Sequence, residues 1–340
     1  MKKALLLFAL VMCACSSPRY ETFSGYAQGG TYRVKLRVNG LKDSPKVIAG
    51  KIDDILEGID TTISGYNKNS LLSRFNAGKR IIPNETFLEL YEISTAMNEF
   101  TSGAFDAASG PLFDIWGFGF KADSLPSHER IASAMKASGM GRLKKDIRSA
   151  LSADGSISAA DLLEEGEDGD NPILNFNAIA QGYSSDVIAR YLHSIGATDM
   201  LVDIGEIYCE GLNASGNGWA IGIDNPVDGN MTPGADMRGV WQSDGGGHGV
   251  VTSGNYRKFY VKDGKKYAHI IDPRTGWPVE HNLLSATIVA TDAATADAVA
   301  TACMVLGPVE ARKLIESSTG LEGCLICSDT LWTSTGFTLN

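Results

Sequence analysis

Asp297 and Thr301 lie four residues apart in Thr291-Asp292-Ala293-Ala294-Thr295-Ala296-Asp297-Ala298-Val299-Ala300-Thr301, a segment paved with alanine. Alanine is the strongest helix former, and this spacing puts both oxygen-bearing side chains on one helical face. A carboxylate and a hydroxyl are hard donors, suited to Mg2+ when waters, substrate phosphates or a carbonyl complete the shell. The competing arrangement has Thr301 bonding back to a helix carbonyl and Asp297 facing solvent. Taken alone, the pair favours that second arrangement.

A second constellation is Tyr267-Ala268-His269-Ile270-Ile271-Asp272-Pro273-Arg274-Thr275-Gly276, where a strand runs into a turn. A neutral imidazole can take a proton from a hydroxyl near physiological pH, so His269 is a candidate general base. A histidine merely hydrogen-bonded at a strand end is the plainer alternative, and without context it is favoured. Three further segments set glycine beside polar side chains, a composition that lets backbone approach a ligand closely. They are Gly25 to Tyr32, Ser102 to Gly119, and Asn175 to Tyr183, the last reading as a strand-to-helix entry whose free amides could face an anion. Singly, each is weak, because glycine clusters most often mark turns.

The elements that must position these residues show in the hydrophobic periodicity. Ile48, Ile52, Ile55, Leu56 and Ile59 predict an amphipathic helix over Pro45 to Ser64. Asn84 caps a second that runs to about Phe100, and a third spans Ser127 to Ser138. A fourth starts near Asn177 and ends at Gly196. The acidic stretch between Ala153 and Asn171 reads as a solvated loop or hairpin tip. Strand-like segments follow at Met200 to Ile204, Trp219 to Ile223, Gly249 to Thr252, Lys258 to Val261, Tyr267 to Ile271 and Leu283 to Ala290. Helices return over Ala293 to Leu306 and after Pro308, and Cys324 to Phe337 resembles a terminal hairpin. Helices and strands mix without regular βαβ alternation, which favours an α+β fold over a doubly wound sheet.

The 340 residues are 44% hydrophobic, enough for a sizeable core. With 30 Lys+Arg against 40 Asp+Glu and no basic run, nothing offers a face for phosphodiester backbones, so nucleic acid is not expected as a partner. Met1-Lys2-Lys3 precedes the short apolar stretch Ala4 to Met12, the pattern of a signal peptide. Cys13-Ala14-Cys15-Ser16-Ser17 then resembles a bacterial lipoprotein cleavage site. Cys15 is the expected lipidated residue, because Ala14 suits the position before cleavage better than Met12 does. The expected division is signal peptide 1–14, anchor or linker 15–24, and a single folded unit 25–340. Cys209, Cys303, Cys324 and Cys327 do not look like a disulfide framework; Cys324 and Cys327 have CxxC spacing but lie in an apolar strand, so packing is expected of them.

Taken together and in order, six segments resemble the ApbE family, the FAD:protein FMN transferases once described as thiamine-biosynthesis lipoproteins. They are Ile63-Ser64-Gly65-Tyr66-Asn67 with Ser73-Arg74-Phe75-Asn76, Gly103-Ala104-Phe105-Asp106 through Gly119, Asn177 to Tyr183, Thr252-Ser253-Gly254-Asn255-Tyr256-Arg257, His269 to Gly276, and Ala296 to Thr301. The resemblance covers about Gly25 to Leu306 and implies one compact catalytic unit of mixed helices and largely antiparallel sheet.

The resemblance implies that FAD lies against Gly29, Tyr66, Ala104, Phe105, Asp106, Asn175, Gln181 and the strand from His269 to Ile271. It implies a metal ion, Mg2+, held by Asp297, Thr301 and the main-chain carbonyl of Ala178, with His269 deprotonating the acceptor hydroxyl. The implied partners are flavin-carrying subunits of membrane redox pumps or exported reductases, met at the envelope by a chain anchored to a membrane through Cys15 and facing the periplasm. Asn175 and Gln181 depart from the family's more usual Asp and Lys or Glu, and Gly29 from a frequent Met; these changes bear on cofactor affinity more than on reaction type. FAD hydrolysis to FMN and AMP, or FAD binding without chemistry, are the rival activities.

Overall fold

The stripe Ile48, Ile52, Leu56 and Ile59 is buried along α1 (Pro45–Ile63), each residue at most 3% exposed. Burying such a side chain contributes about 1.5–3 kcal/mol, so the stripe fixes this helix to the core far more firmly than its intrinsic propensity does. The computed structural model describes residues 17–117, 125–167, 170–227, 230, 232, 234–256, 259–262, 265–268 and 270–340, with 259–262 and 265–268 described by their backbone. His269 and Cys15 lie outside the described residues, as do Cys13, Phe118, Gly119 and Arg257.

The chain opens with the hairpin β1 (Tyr20–Ala27) and β2 (Gly30–Arg37), followed by α1, α2 (Leu71–Asn76), α3 (Glu85–Phe100), α4 (Gly110–Trp116) and α5 (His128–Ala137). Next come α6 (Ala180–Ser194), β3 (Met200–Asp203), β4 (Ile207–Glu210), β5 (Ala220–Asp224), β6 (Met237–Gln242) and β7 (His248–Gly254). The last third holds β8 (Phe259–Lys262), β9 (Lys265–Ala268), β10 (Ile271–Asp272), β11 (Trp277–Pro278), β12 (Leu283–Ala290), α7 (Ala293–Glu316), β13 (Glu322–Cys327) and β14 (Leu331–Thr333). The fold is α+β. β1 begins at Tyr20, upstream of the expected start of the folded unit at Gly25.

An eight-stranded sheet in the order β1-β2-β3-β4-β7-β12-β13-β14, antiparallel at every step, divides the molecule. One face carries the helices. Leu283, Ala286, Ile288 and Ala290 of β12 point into a core shared with α3 and α7, while Val34, Leu36, Met200 and Val202 pack with α1 and α6. The other face meets the β5–β6 hairpin through Trp219, Trp241 and Phe337. Cys324 joins that second core and Cys327 packs on the first, so the CxxC pair straddles the sheet; all four described cysteines are free thiols, used in packing as expected.

Local signals place the helices. Asn84 Oδ1 accepts from Phe87 N, the cap expected from sequence, and Ser127 Oγ accepts from Arg130 N. α7 breaks at Gly307 (φ +76) just before Pro308. His281 fits that break, with Nε2 2.9 Å from Met304 O and Nδ1 3.3 Å from Leu283 N. α6 starts three residues later than expected, because Asn175 Oδ1 takes the Asn177 amide and 177–179 form a turn. Among the described residues, no helix is long and apolar enough to cross a membrane.

Candidate active site

α6 and α7 cross so closely that only glycine fits at the contact. A Cβ on Gly182 would lie 2.3 Å from Ala293 O and 2.9 Å from Asp297 Cβ. The approach brings the first turn of α6 onto α7, and Gly182 N donates to Asp297 Oδ2 at 3.2 Å. Asp297 is 6% exposed. Burial pushes its carboxyl well above the usual carboxylate range, the Gly182 amide pulls the other way, and the charge of Asp186 adds to the rise. The solvent-facing alternative for Asp297 is therefore excluded.

A divalent cation fits this corner. Ionised, the buried Asp297 would need positive charge that one amide does not supply. The Thr301 hydroxyl stands on the same helical face, and Ala178 lies in the turn entering α6. The donor set is all oxygen, the chemistry that Mg2+ selects. Among the described residues, His, Cys, Asp and Glu form no cluster of three, so the corner is no ready-made all-protein cage. A cation there would complete its shell from substrate.

Three segments meet around the loop after α3. Asn175 N donates to Ala107 O at 2.7 Å, which lays the approach to α6 beside the Ala104 to Asp106 loop. Asn76 clamps that approach through both its amide atoms, donating to Leu174 O at 2.8 Å and accepting from Leu174 N at 2.9 Å. On the opposite side of the loop, Gly103 (φ +79) lies under Arg274, whose Cγ would be 3.6 Å from an added Cβ. Asp272 grips that arginine with both carboxylate oxygens, at 2.9 and 2.8 Å.

The other expected contacts fall into distinct groups. Ala104 and Phe105 are buried, and Phe105 O accepts from Asn98 Nδ2 at 2.7 Å. The Asp106 carboxylate is turned inward, accepting from Ala108 N, Met140 N and Asn98 Nδ2. Burial raises its pKa and those donors pull it back. Ile271, 3% exposed, packs into a satellite core with Leu112, Trp116, Ile131 and Ala134, so its side chain is used in packing. Tyr66 is 80% exposed. Gly29 (φ +80) sits in the β1–β2 turn, not in a free loop. The adjacent Gln28 donates through Nε2 to Ser184 Oγ of α6, while its Oε1 is buried with no hydrogen-bond partner among the described residues. Gln181 rests against Gly205 in the β3–β4 turn.

Sequence reasoning placed Gly182 and Gln28 inside glycine-rich segments without singling them out, and it missed Asp186. Asp186 follows Gly182 by four residues on α6, so the two share a face, and that spacing was the available signal. The hydroxyl pair Thr252 Oγ1 and Thr287 Oγ1, 2.7 Å apart across β7 and β12, was missed because its members are distant in sequence.

A single α+β catalytic unit built around an oxygen-lined helix crossing is the class that this geometry defines. The ApbE family profile matches residues 29–325. The FAD:protein FMN transferase of Vibrio cholerae serotype O1 is 33% identical over 318 residues, 91% of this chain and 88% of that protein. The enzyme of the same name from Escherichia coli K12 is 32% identical, over 92% of this chain and 88% of its own. Among solved structures, the Pseudomonas stutzeri flavinyl transferase ApbE in its apo form superposes with a TM-score of 0.77 at 30% identity, covering 94% of this chain and 96% of that one. The flavin transferase ApbE from Vibrio cholerae gives 0.75 at 29%, covering 94% and 98%. The chain belongs to the ApbE family.

Proposed function

We propose that this protein is a magnesium-dependent FAD:protein FMN transferase. The acceptor is a Thr or Ser hydroxyl of a partner flavoprotein. Its oxygen forms a bond to the FMN phosphorus of FAD, the bond from that phosphorus to the bridging oxygen breaks, and AMP leaves. The hydroxyl proton passes to His269, the residue the family resemblance assigns as base. Asp297, Thr301 and the Ala178 carbonyl would hold Mg2+, which when bound neutralises pyrophosphate charge.

The chain's own groups supply the rest. The loop 102–106 and the entry to α6, joined through Asn175 N and Ala107 O, form a rigid wall for the dinucleotide. Gln28 Oε1 offers an unused acceptor beside α6. Tyr66, exposed on the loop after α1, presents an aromatic face toward which a flavin or adenine ring can stack.

The single observation that carries this reading is the buried Asp297 carboxylate at the α6–α7 crossing of a chain in this family. Incubating the full protein with FAD, Mg2+ and a threonine-containing acceptor segment, then weighing the products, tests it. Acceptor mass gain equal to FMN less one water supports transfer. AMP without that gain means hydrolysis, and unchanged FAD means a carrier.

The expected address is the cell envelope, through acyl chains on Cys15 rather than a spanning helix. The expected acceptors are subunits of redox pumps or exported reductases. Fatty-acid labelling that survives Cys15→Ala would refute the anchor.

A further inference from the structure

The cation site of the proposed transferase is split between two helices. Ala178 precedes the first turn of α6, whereas Asp297 and Thr301 belong to α7. Mg2+ demands near-octahedral geometry at short distances, so the placement of one helix against the other sets the quality of the site. Among the described residues, two polar ties join them. One is the bond from Gly182 N to Asp297 Oδ2. The other is Asp186, one turn further along α6, whose Oδ1 accepts from Ala293 N and Oδ2 from Ala294 N, both at 2.8 Å.

The opening amides of α7 are thus divided between two carboxylates. Asp292, the cap on its own chain, takes Thr295 N at 2.7 Å. The two amides before it go to a different helix. A groove of about 410 Å³ lined by Tyr183, Asp186, Arg190, Asp292 and Thr295 opens at this end of the crossing, beside the close backbone contact of Gly182 with Ala293.

We propose that Asp186 is a positioning residue for the cation site. Its two-pronged hold on the first turn of α7 keeps Asp297 and Thr301 in register with the Ala178 carbonyl. It touches neither the cation nor the substrate. This inference rests on the magnesium reading above, and the experiment separates the two.

Asp186→Asn retains one acceptor oxygen but turns an NH2 group toward the second amide. The Mg2+ concentration giving half-maximal FAD turnover is expected to rise about tenfold or more, the usual cost of losing a group that orients metal ligands. Turnover at saturating Mg2+ returns close to the wild-type value. The Mg2+ concentration that half-saturates the rise in melting temperature, read without FAD, shifts in parallel.

Asp292→Ala removes a cap from the same helix without touching α6 and leaves both concentrations unchanged. Equal shifts in the two variants would mean general fraying of α7 and overturn the proposal. A magnesium-dependent wild type with an unshifted Asp186→Asn overturns it alone. A wild type indifferent to Mg2+ overturns the metal reading and this inference with it. Should Asp186→Asn not fold, Asp186→Glu, which keeps the charge but displaces the α7 turn, is read by the same criteria.

Discussion

Asp106 and Asp297 are both carboxylates removed from water, and the regions around them treat that burial differently. In the loop after α3, Asp106 accepts from the amides of Ala108 at 2.8 Å and Met140 at 3.0 Å and from the Asn98 side chain at 3.2 Å. At the α6–α7 crossing, Asp297 accepts from one amide, Gly182 N, with another carboxylate, Asp186, nearby. Desolvation raises both pKa values. Three dipoles make the first carboxylate a staple of the loop, whereas the second is left to be neutralised by a proton or a cation. A buried acid short of donors is a place where the fold has kept something open.

The largest effect should come from closing that opening. Asp297→Asn is expected to lower FMN transfer by about 10³-fold or more, because the charge stabilisation a metal provides is worth several kcal/mol. Its stability without Mg2+ should equal or exceed wild type, since a buried acid that folding must keep protonated is removed. Asp106→Ala should show the reverse pattern. Stranding three donors costs roughly 2–3 kcal/mol of stability, with the Mg2+ dependence of the remaining folded protein unchanged. Urea midpoints and a Mg2+ titration on both variants would break the comparison if the two losses fell on the same property.

Proton linkage sharpens it. Folded Asp297 holds its proton to higher pH than the reference value of 3.8 expected for the unfolded chain. The folded state therefore binds more protons from that value up to the raised one, and across this window stability falls as pH rises. Bound Mg2+ takes the proton's place and should flatten the slope, as should Asp297→Asn. Asp106 contributes a slope of the same sign, but one that Mg2+ leaves alone. Urea midpoints at about pH 5 and pH 8, in chelator and in Mg2+, read the difference directly. A slope unaffected by Mg2+ would place the cation elsewhere.

The same contrast explains what the sequence made legible. α1, α3, α5 and the broken α7 announce themselves through stripes, caps and the Gly307-Pro308 pair, all of which act within a few residues. Asp297 and Thr301 were visible for the same reason. The β1–β2 hairpin was not, because its turn at Gln28-Gly29 looks like any glycine-rich loop until the pairing of Tyr26 with Thr31 is seen. The inward turn of Asp106 depends on Met140, and the grip of Asp186 on amides 107 and 108 residues away. Spacing rules carry no information about such partners. The role proposed for His269 rests on the family resemblance, because the residues around it alone favour a histidine hydrogen-bonded at a strand end.

The smallest effects separate two glycines that look alike in sequence. Gly182→Ala would push a methyl to 2.3 Å from Ala293 O, a backbone atom that cannot swing aside. The helices must part, costing about 2 kcal/mol, and the Mg2+ needed for half-maximal turnover should rise as Asp297 moves from Ala178. Gly103→Ala meets nothing closer than Arg274 Cγ at 3.6 Å, so its penalty is the positive φ of +79°. Holding alanine there costs about 1 kcal/mol and leaves the Mg2+ requirement as it was. Melting curves alone would rank the two variants; the magnesium titration tests whether Gly182, unlike Gly103, supports the proposed cation site. A rise in the Mg2+ requirement of Gly103→Ala would mean that the loop and the crossing move together.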